Sequence, residues 1–316
     1  MAKPFIKWAG GKGQLISQIE AYLPQEFDNL KDITYIEPFV GGGALLFHML
    51  STHPNIVRAI INDINPNLIT AYKTIREQPK LLIERLTEIE FEYLALSEDE
   101  RQVYFYRKRD EFNSEYLNDI ENTATFIYLN RTCFNGLYRE NAKGKFNVPF
   151  GRYSNPKICD AETILSDSDL LQRVEISHGD YTQVEHYINS SHTFIYFDPP
   201  YRPLNATSSF NSYVKEPFND DEQIRLSVFF TEMANRGCME MLSNSDCSGK
   251  NPEDRFFDEL YKNFYIERVW AKRGINAKAS KRGRLTELLI HNYENIVGNN
   301  VGVFTAANMV AEPITI

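Results

Sequence analysis

The apolar run Thr193-Phe194-Ile195-Tyr196-Phe197 leads directly into Asp198-Pro199-Pro200-Tyr201, and no other junction constrains the fold of this chain as much. Consecutive β-branched and aromatic residues read as a strand buried on both faces. Proline cannot donate to a sheet ladder, so the pair ends the strand and fixes the loop behind it. That loop presents a carboxylate, backbone carbonyls without ladder partners and a flat aromatic ring together. An exposed amino group on a planar heterocycle needs such an arrangement. A plain tight turn also accounts for these residues, since Asp-Pro starts many turns. On the tetrapeptide alone both readings stay open.

Similar short runs recur at 33–36, 57–61, 174–177, 239–242, 264–269 and 285–291. Several precede a turn signal and then a helical pattern, as Asn65-Pro66 precedes 68–75. Alternation of this kind predicts an α/β sheet with covering helices. Residues 66–158 break it and read as an inserted, mostly helical subdomain. Its first part carries Leu81, Leu82, Ile83, Leu86 and Ile89 on one stripe, continued by Tyr93 and Leu94. Its second part, 130–153, is rich in Asn, Gly, Arg and aromatics and reads as a shaped surface loop or hairpin. The flanking segments 1–65 and 159–295 then form one discontinuous domain, and 296–316, rich in Gly, Asn and Ala, a peripheral tail.

A net charge of −9 over 316 residues argues at first against a polyanionic partner. The distribution reverses that. Between 131 and 157 stand Arg131, Arg139, Lys143, Lys145, Arg152 and Lys157 against Glu140 alone. Between 271 and 284 stand Lys272, Arg273, Lys278, Lys281, Arg282 and Arg284 with no acid. Local basic patches are the footprint of phosphate binding. No window approaches the roughly 18 apolar residues of a membrane span, and the N-terminus lacks the long apolar segment of a signal peptide. Cys133, Cys159, Cys238 and Cys247 show neither CxxC nor metal-ligand spacing, so free thiols in a reducing cytoplasm are expected. No metal is called for.

The stretch from Tyr35 to Ala44, Tyr-Ile-Glu-Pro-Phe-Val-Gly-Gly-Gly-Ala, reads as a strand, a glycine turn and a helix start. Glycines there let a ligand approach the backbone closely. Leu46 stands where the dinucleotide fingerprint wants its third glycine. Asp63, at the end of the next strand, can accept both hydroxyls of a ribose. Together these features indicate a nucleoside cofactor without saying which. Near the start, Gly10-Gly11-Lys12-Gly13 lacks the Ser/Thr and the upstream glycine of a P-loop. It still offers Trp8 for stacking and Lys12 for a carboxylate.

The segments Lys7–Lys12, Glu37–Gly43, Asn62–Asn65 and Asp198–Tyr201 stand in the order found in the Dam-type DNA adenine-N6 methyltransferases. Between them, 129–139 and 146–153 resemble that family's target-recognition hairpin. The resemblance covers about nine-tenths of the chain, residues 4–293. It implies a Rossmann-like S-adenosylmethionine-dependent methyltransferase fold, a mixed sheet of about seven strands with helices on both faces, in which 66–158 is the target-recognition subdomain. Carried over residue by residue, it implies that Trp8, Gly10 and Lys12 hold the methionine end of S-adenosylmethionine. Glu37, Phe39 and Gly41 surround its middle, Asp63 takes the ribose hydroxyls, and Asp180-Tyr181 flank the adenine. Asp198 also borders the cofactor. Asp198 and the Pro199 carbonyl, on the rigid Pro199-Pro200 turn, accept the two N6 hydrogens while Tyr201 stacks on a flipped base.

For double-stranded DNA it implies Phe134 as the intercalating aromatic, Asn135 and Leu137 beside the bases, Arg139 on a guanine edge, and Arg152 and Tyr153 on backbone and flanking bases. Lys272, Lys278 and Lys281 bind phosphate. GATC-specific members match these residues best. The resemblance further implies a monomer in the cytoplasm of a bacterium, or of a phage's host, in a restriction system with a nuclease or alone. Cytosine-N4 methylation uses the same amino-group logic, although Asp before Pro-Pro-Tyr favours adenine. A DNA-binding protein that has lost catalysis predicts damage at Asp198, Tyr201 or the glycine turn, and all are intact. A small-molecule dehydrogenase has no use for Phe134, Arg139 and two basic runs.

Overall fold

In the computed structural model, residues 2–8, 10–114, 116–188, 192–203, 218–272 and 284–295 are described. Seven strands, β1 (Ile33–Glu37), β2 (Ile56–Asp63), β3 (Val174–His178), β4 (Thr193–Phe197), β5 (Met239–Ser245), β6 (Tyr265–Lys272) and β7 (Arg284–His291), form one sheet in the order β3-β2-β1-β4-β5-β7-β6. The first five run parallel, and β7 lies antiparallel between β5 and β6. The seven runs read from the sequence are these seven strands, in a mixed sheet of the expected size.

β1 and β4 are buried along their whole length, and their period of two sends alternate side chains to opposite faces. Tyr35, Phe194 and Tyr196 enter one apolar cluster, whereas Ile36, Ile195 and Phe197 enter the other. The sheet therefore carries a core on each face. The first core is completed by α1 (Ile16–Ala21), α2 (Ala44–Thr52), α3 (Pro66–Glu77), α4 (Pro79–Ala95), α5 (Glu98–Ser114), α6 (Asp119–Thr132) and α7 (Ala161–Leu171). The second is completed by α8 (Asp220–Asn235) and α9 (Phe256–Leu260). At the start of α3, the Asn65 side chain accepts the Leu68 amide at 3.0 Å and proline occupies the first turn, the expected start signal.

The stripe on α4 is narrower than the sequence suggested. Leu82, Leu86, Ile89 and Tyr93 are buried at alternating spacings of four and three, but Leu81 and Leu94 face solvent. Those two fall to either side of the seam that 3.6 residues per turn can bury. Beyond α6, residues 130–153 make a single 3-10 turn, Phe134–Gly136, and a hairpin closed by antiparallel bridges between Cys133 and Phe150 and between Glu140 and Phe146. The helices of 66–158 share the first core with β1 and β2.

From β1 the chain builds outward through β2 to β3, then returns to place β4 and β5 on the other side of β1. The order reverses between β1 and β4, and in open α/β sheets ligands bind in the crevice beyond the carboxyl ends at that point. Glu37 ends β1 there, and Asp198 follows β4. Lys278, Lys281 and the 296–316 tail lie outside the described residues, as does the side chain of Lys272. Among the described residues no helix is long and apolar enough to cross a membrane, no disulfide joins the four cysteines, and no group of His, Cys, Asp or Glu could hold a metal ion.

Candidate active site

At the crevice, Lys12 is almost wholly buried, at 6% exposure. Its Nζ lies 2.6 Å from Asp198 Oδ1, donates to the Gly10 carbonyl at 2.9 Å, and sits 4.4 Å from the centre of the Tyr201 ring. A buried ammonium needs such company, because desolvation is offset only by a close carboxylate and further polar contacts. Ser243 on β5 donates to the same Asp198 oxygen at 3.2 Å and pairs with the Tyr196 hydroxyl at 2.9 Å. Oδ1 is thus committed to Lys12 and Ser243. Oδ2 has no such partner among the described residues.

The loop is also held from behind. Gln223 of α8 donates to the Pro200 carbonyl at 3.0 Å and accepts from Asn244 at 3.1 Å, while Asn244 Oδ1 accepts the Arg202 amide at 3.2 Å. Both amide side chains are fully buried. The Tyr201 hydroxyl donates to Glu287 of β7 at 2.7 Å. Sequence reasoning missed Ser243, Gln223, Asn244 and Glu287. The available signal was the polar run Ser243-Asn244-Ser245 at the end of β5.

Burial pushes the Asp198 carboxyl up, and Lys12 opposes it by charge and hydrogen bond. Burial pushes Glu37 further, to about 8; the Tyr35 hydroxyl, donating at 2.6 Å, opposes the shift and the Asp198 charge adds to it. At neutral pH the Glu37 carboxyl therefore keeps its proton. Below about pH 4.5, the ordinary value for a glutamate, Glu37 is neutral folded or unfolded. Above it the unfolded chain ionises while the fold keeps the proton, so the contribution of Glu37 to stability falls as pH rises and has been lost by about pH 8. Glu37→Gln should remove that component. Its melting temperature should gain on the parent between pH 5 and 8, and parallel pH profiles of the two proteins would refute the assignment.

The glycine turn closes the other side. Gly41 and Gly43 adopt φ of +49° and +72°, the left-handed region that glycine enters without strain. A Cβ on Gly41 would lie 2.9 Å from Trp8 Cδ1, so the turn and the indole are in direct contact. Trp8 stacks on Tyr138 with ring centres 5.1 Å apart. The Gly41 amide donates to Asp63 Oδ2 at 3.0 Å, and the Asn65 amide to Oδ1 at 2.9 Å.

Of the residues expected at a cofactor, Trp8, Gly10, Lys12, Glu37, Gly41 and Asp198 line a single cavity of about 290 Å³. Asp63 reaches it only through the Gly41 backbone. Phe39, Asp180 and Tyr181 do not line it. The Tyr181 ring is buried against Phe39, 5.2 Å between centres. Burial works to raise the Asp180 carboxyl, but Arg225 at 2.7 Å and Thr182 hold it down to about 2.

In the hairpin, Phe134 and Leu137 are apolar and exposed, at 52% and 37%. Asn135 and Arg152 are non-glycine residues in the left-handed region, at φ of 59° and 57°. The Asn135 amide donates to the Tyr153 hydroxyl at 3.1 Å. Arg139 is exposed and bonded to Asn147, and Arg152 lies 3.6 Å from Glu98 at the surface. The Asn130 side chain bridges the Lys7 amide and carbonyl, at 2.9 and 2.8 Å, and the Gly136 carbonyl at 3.1 Å. The hairpin is thereby fastened to the segment that carries Trp8.

Comparisons with known proteins agree with this geometry. The family model for D12 class N6 adenine-specific DNA methyltransferases matches residues 8–275. The chain is 49% identical to the type II methyltransferase M.MjaIII of Methanocaldococcus jannaschii over 294 residues, covering 92% of this chain and 99% of that protein. It is 38% identical to the type II methyltransferase M1.LlaDCHI of Lactococcus lactis subsp. cremoris, covering 93% and 96%. It is 30% identical to the DNA adenine methylase of Escherichia coli K12, covering 91% and 94%. With the strand order, the Asp-Pro-Pro-Tyr loop and the glycine turn in place, the chain belongs to the D12 class of N6 adenine-specific DNA methyltransferases.

Proposed function

We propose that the chain methylates N6 of an adenine flipped out of double-stranded DNA, at GATC, with S-adenosylmethionine as donor. The observation that carries this reading is the buried contact of Lys12 with Asp198 at the switch point, beside the cavity bounded by Trp8 and the glycine turn. The cavity suits that cofactor: Lys12 offers a cation for its carboxylate, the indole a flat face, and Gly41 a backbone that no Cβ shields. Asp63, joined to the turn through the Gly41 amide, is the ribose acceptor. When bound, S-adenosylmethionine supplies a methyl group on a positively charged sulfur.

The chain's own residues prepare the amino group. Adenine N6 is a poor nucleophile because its lone pair is delocalised into the ring. Asp198 Oδ2 and the Pro199 carbonyl accept its two hydrogens and draw nitrogen toward a tetrahedral shape. Tyr201, held by Glu287, stacks on the purine. Positive charge that develops on N6 lies against the Asp198 carboxylate, so positioning and electrostatic stabilisation carry the catalysis. Because N6 is paired inside a duplex, the base must leave the stack, at about a few kcal/mol. Phe134 fills the gap as an apolar wedge, which accounts for its exposure. Arg139 reads a guanine edge.

Base-resolution mapping of N6-methyladenine after expression in a host without adenine methylation tests the reading. Methylation confined to GATC is expected; another motif, or none, would refute the site or the activity. Ser243→Ala should lower kcat about tenfold, the worth of one hydrogen bond to a charged group, and leave the Kd for S-adenosylmethionine in place. A weaker Kd with kcat kept would assign Ser243 to the cofactor instead.

A further inference from the structure

Arg139 is exposed, and a free arginine on a loop samples many rotamers before it can make a planar, two-pronged contact. Here one residue restricts that freedom. Asn147 Oδ1 accepts Arg139 Nε at 2.7 Å, the Asn147 carbonyl accepts Nη2 at 3.4 Å, and the Asn147 amide donates to the Arg139 carbonyl at 3.0 Å. Asn147 is itself held. The preceding Phe146 is buried, bridges Glu140 across the hairpin, and exchanges both backbone hydrogen bonds with the Asn113 side chain of α5, at 2.8 and 2.9 Å. Asn147 therefore stands on a template anchored to the helical layer. With Nε and one Nη2 hydrogen committed to Asn147, the Nη1 hydrogens and the second Nη2 hydrogen remain to meet the O6 and N7 acceptors of a guanine.

We propose that Asn147 is a positioning residue for base discrimination: it sets the plane and direction of the Arg139 guanidinium before DNA arrives, so that guanine is read without first ordering the side chain. The inference rests on the reading of Arg139 given above. Its energetic signature is specific, because loss of the acceptor affects one base pair of the target and no other.

The test is steady-state methylation of GATC duplexes and of duplexes with each base pair substituted singly, using the parent, Arg139→Ala, Asn147→Ala, Asn147→Asp and the double alanine variant. Asn147→Ala should lose about tenfold in discrimination at the same guanine that Arg139→Ala relaxes, while preferences at the other pairs stay. The double variant should match Arg139→Ala alone, since the two residues act as one unit. Asn147→Asp keeps the acceptor and should keep the preference, although its added charge raises KM on every duplex alike. A uniform loss of rate on all duplexes after Asn147→Ala, with preference kept and the melting temperature unchanged, would overturn the proposal, as would additive effects in the double variant. If Arg139→Ala itself leaves the preference intact, the reading of Arg139 falls, and that arm separates the two failures.

Discussion

Asp198→Ala should reduce methyl transfer on the order of a thousandfold, comparable to removing a preorganised partner of developing charge, and leave DNA binding largely in place. The substitution removes the acceptor for one N6 hydrogen and the negative charge beside the nitrogen. It also strands the Lys12 ammonium, buried at 6% exposure, and an unpaired buried charge costs about 3–5 kcal/mol. A drop in melting temperature should therefore accompany the loss of rate. Asp198→Asn also removes the counter-charge of Lys12 but keeps an acceptor and the shape, so both its melting temperature and its turnover should fall between those of the parent and the alanine variant. Single-turnover rates with saturating DNA are the measurement. Turnover by Asp198→Ala at the parent's rate would remove the carboxylate from the reaction.

Gly41→Ala should weaken S-adenosylmethionine binding tenfold or more, about 1.4 kcal/mol or above. Alanine resists a φ of +49°, and its Cβ would lie 2.9 Å from Trp8 Cδ1. Either the turn shifts, breaking the Gly41 amide contact with Asp63, or the indole retreats into its stack on Tyr138. Both narrow or distort the cavity wall. Titration calorimetry with the cofactor is the readout, and an unchanged Kd would place the cofactor elsewhere. DNA affinity without cofactor should hold, because Phe134 and Arg139 do not touch Gly41.

Legibility in the sequence was uneven, for physical reasons. All seven strands could be read: β1 and β4 because strands buried along their whole length are dominated by apolar residues whatever packs against them, and the others because apolar residues still recur in them where part of the strand meets solvent, as in β3. The α4 stripe was overdrawn: local hydrophobicity does not say how wide a seam the neighbouring helices leave, and Leu81 and Leu94 lie outside it. Trp8, Gly10, Lys12, Glu37, Gly41 and Asp198 meet at one cavity. Their types and order were legible because glycine turns and proline loops are local chemistry. Asp180 and Tyr181 do not line that cavity: the carboxylate is engaged by Arg225 and the ring by the core. No motif announces partners so far along the chain.

By itself the sequence determined which elements form, that a glycine turn and an Asp-Pro-Pro-Tyr loop follow two buried strands, and which family shares that order. Those properties follow from periodicity and backbone preference, which act between near neighbours. Only the tertiary structure decided that the strand order reverses between β1 and β4, so that Glu37 and Asp198 share one crevice with a buried Lys12. It alone committed Asp198 Oδ1 to Lys12 and Ser243, kept the proton on Glu37 to about pH 8, and set Asn147 behind Arg139. Desolvation and hydrogen-bond geometry depend on what stands within a few ångströms in space, and that is set by strand pairing and packing between distant segments.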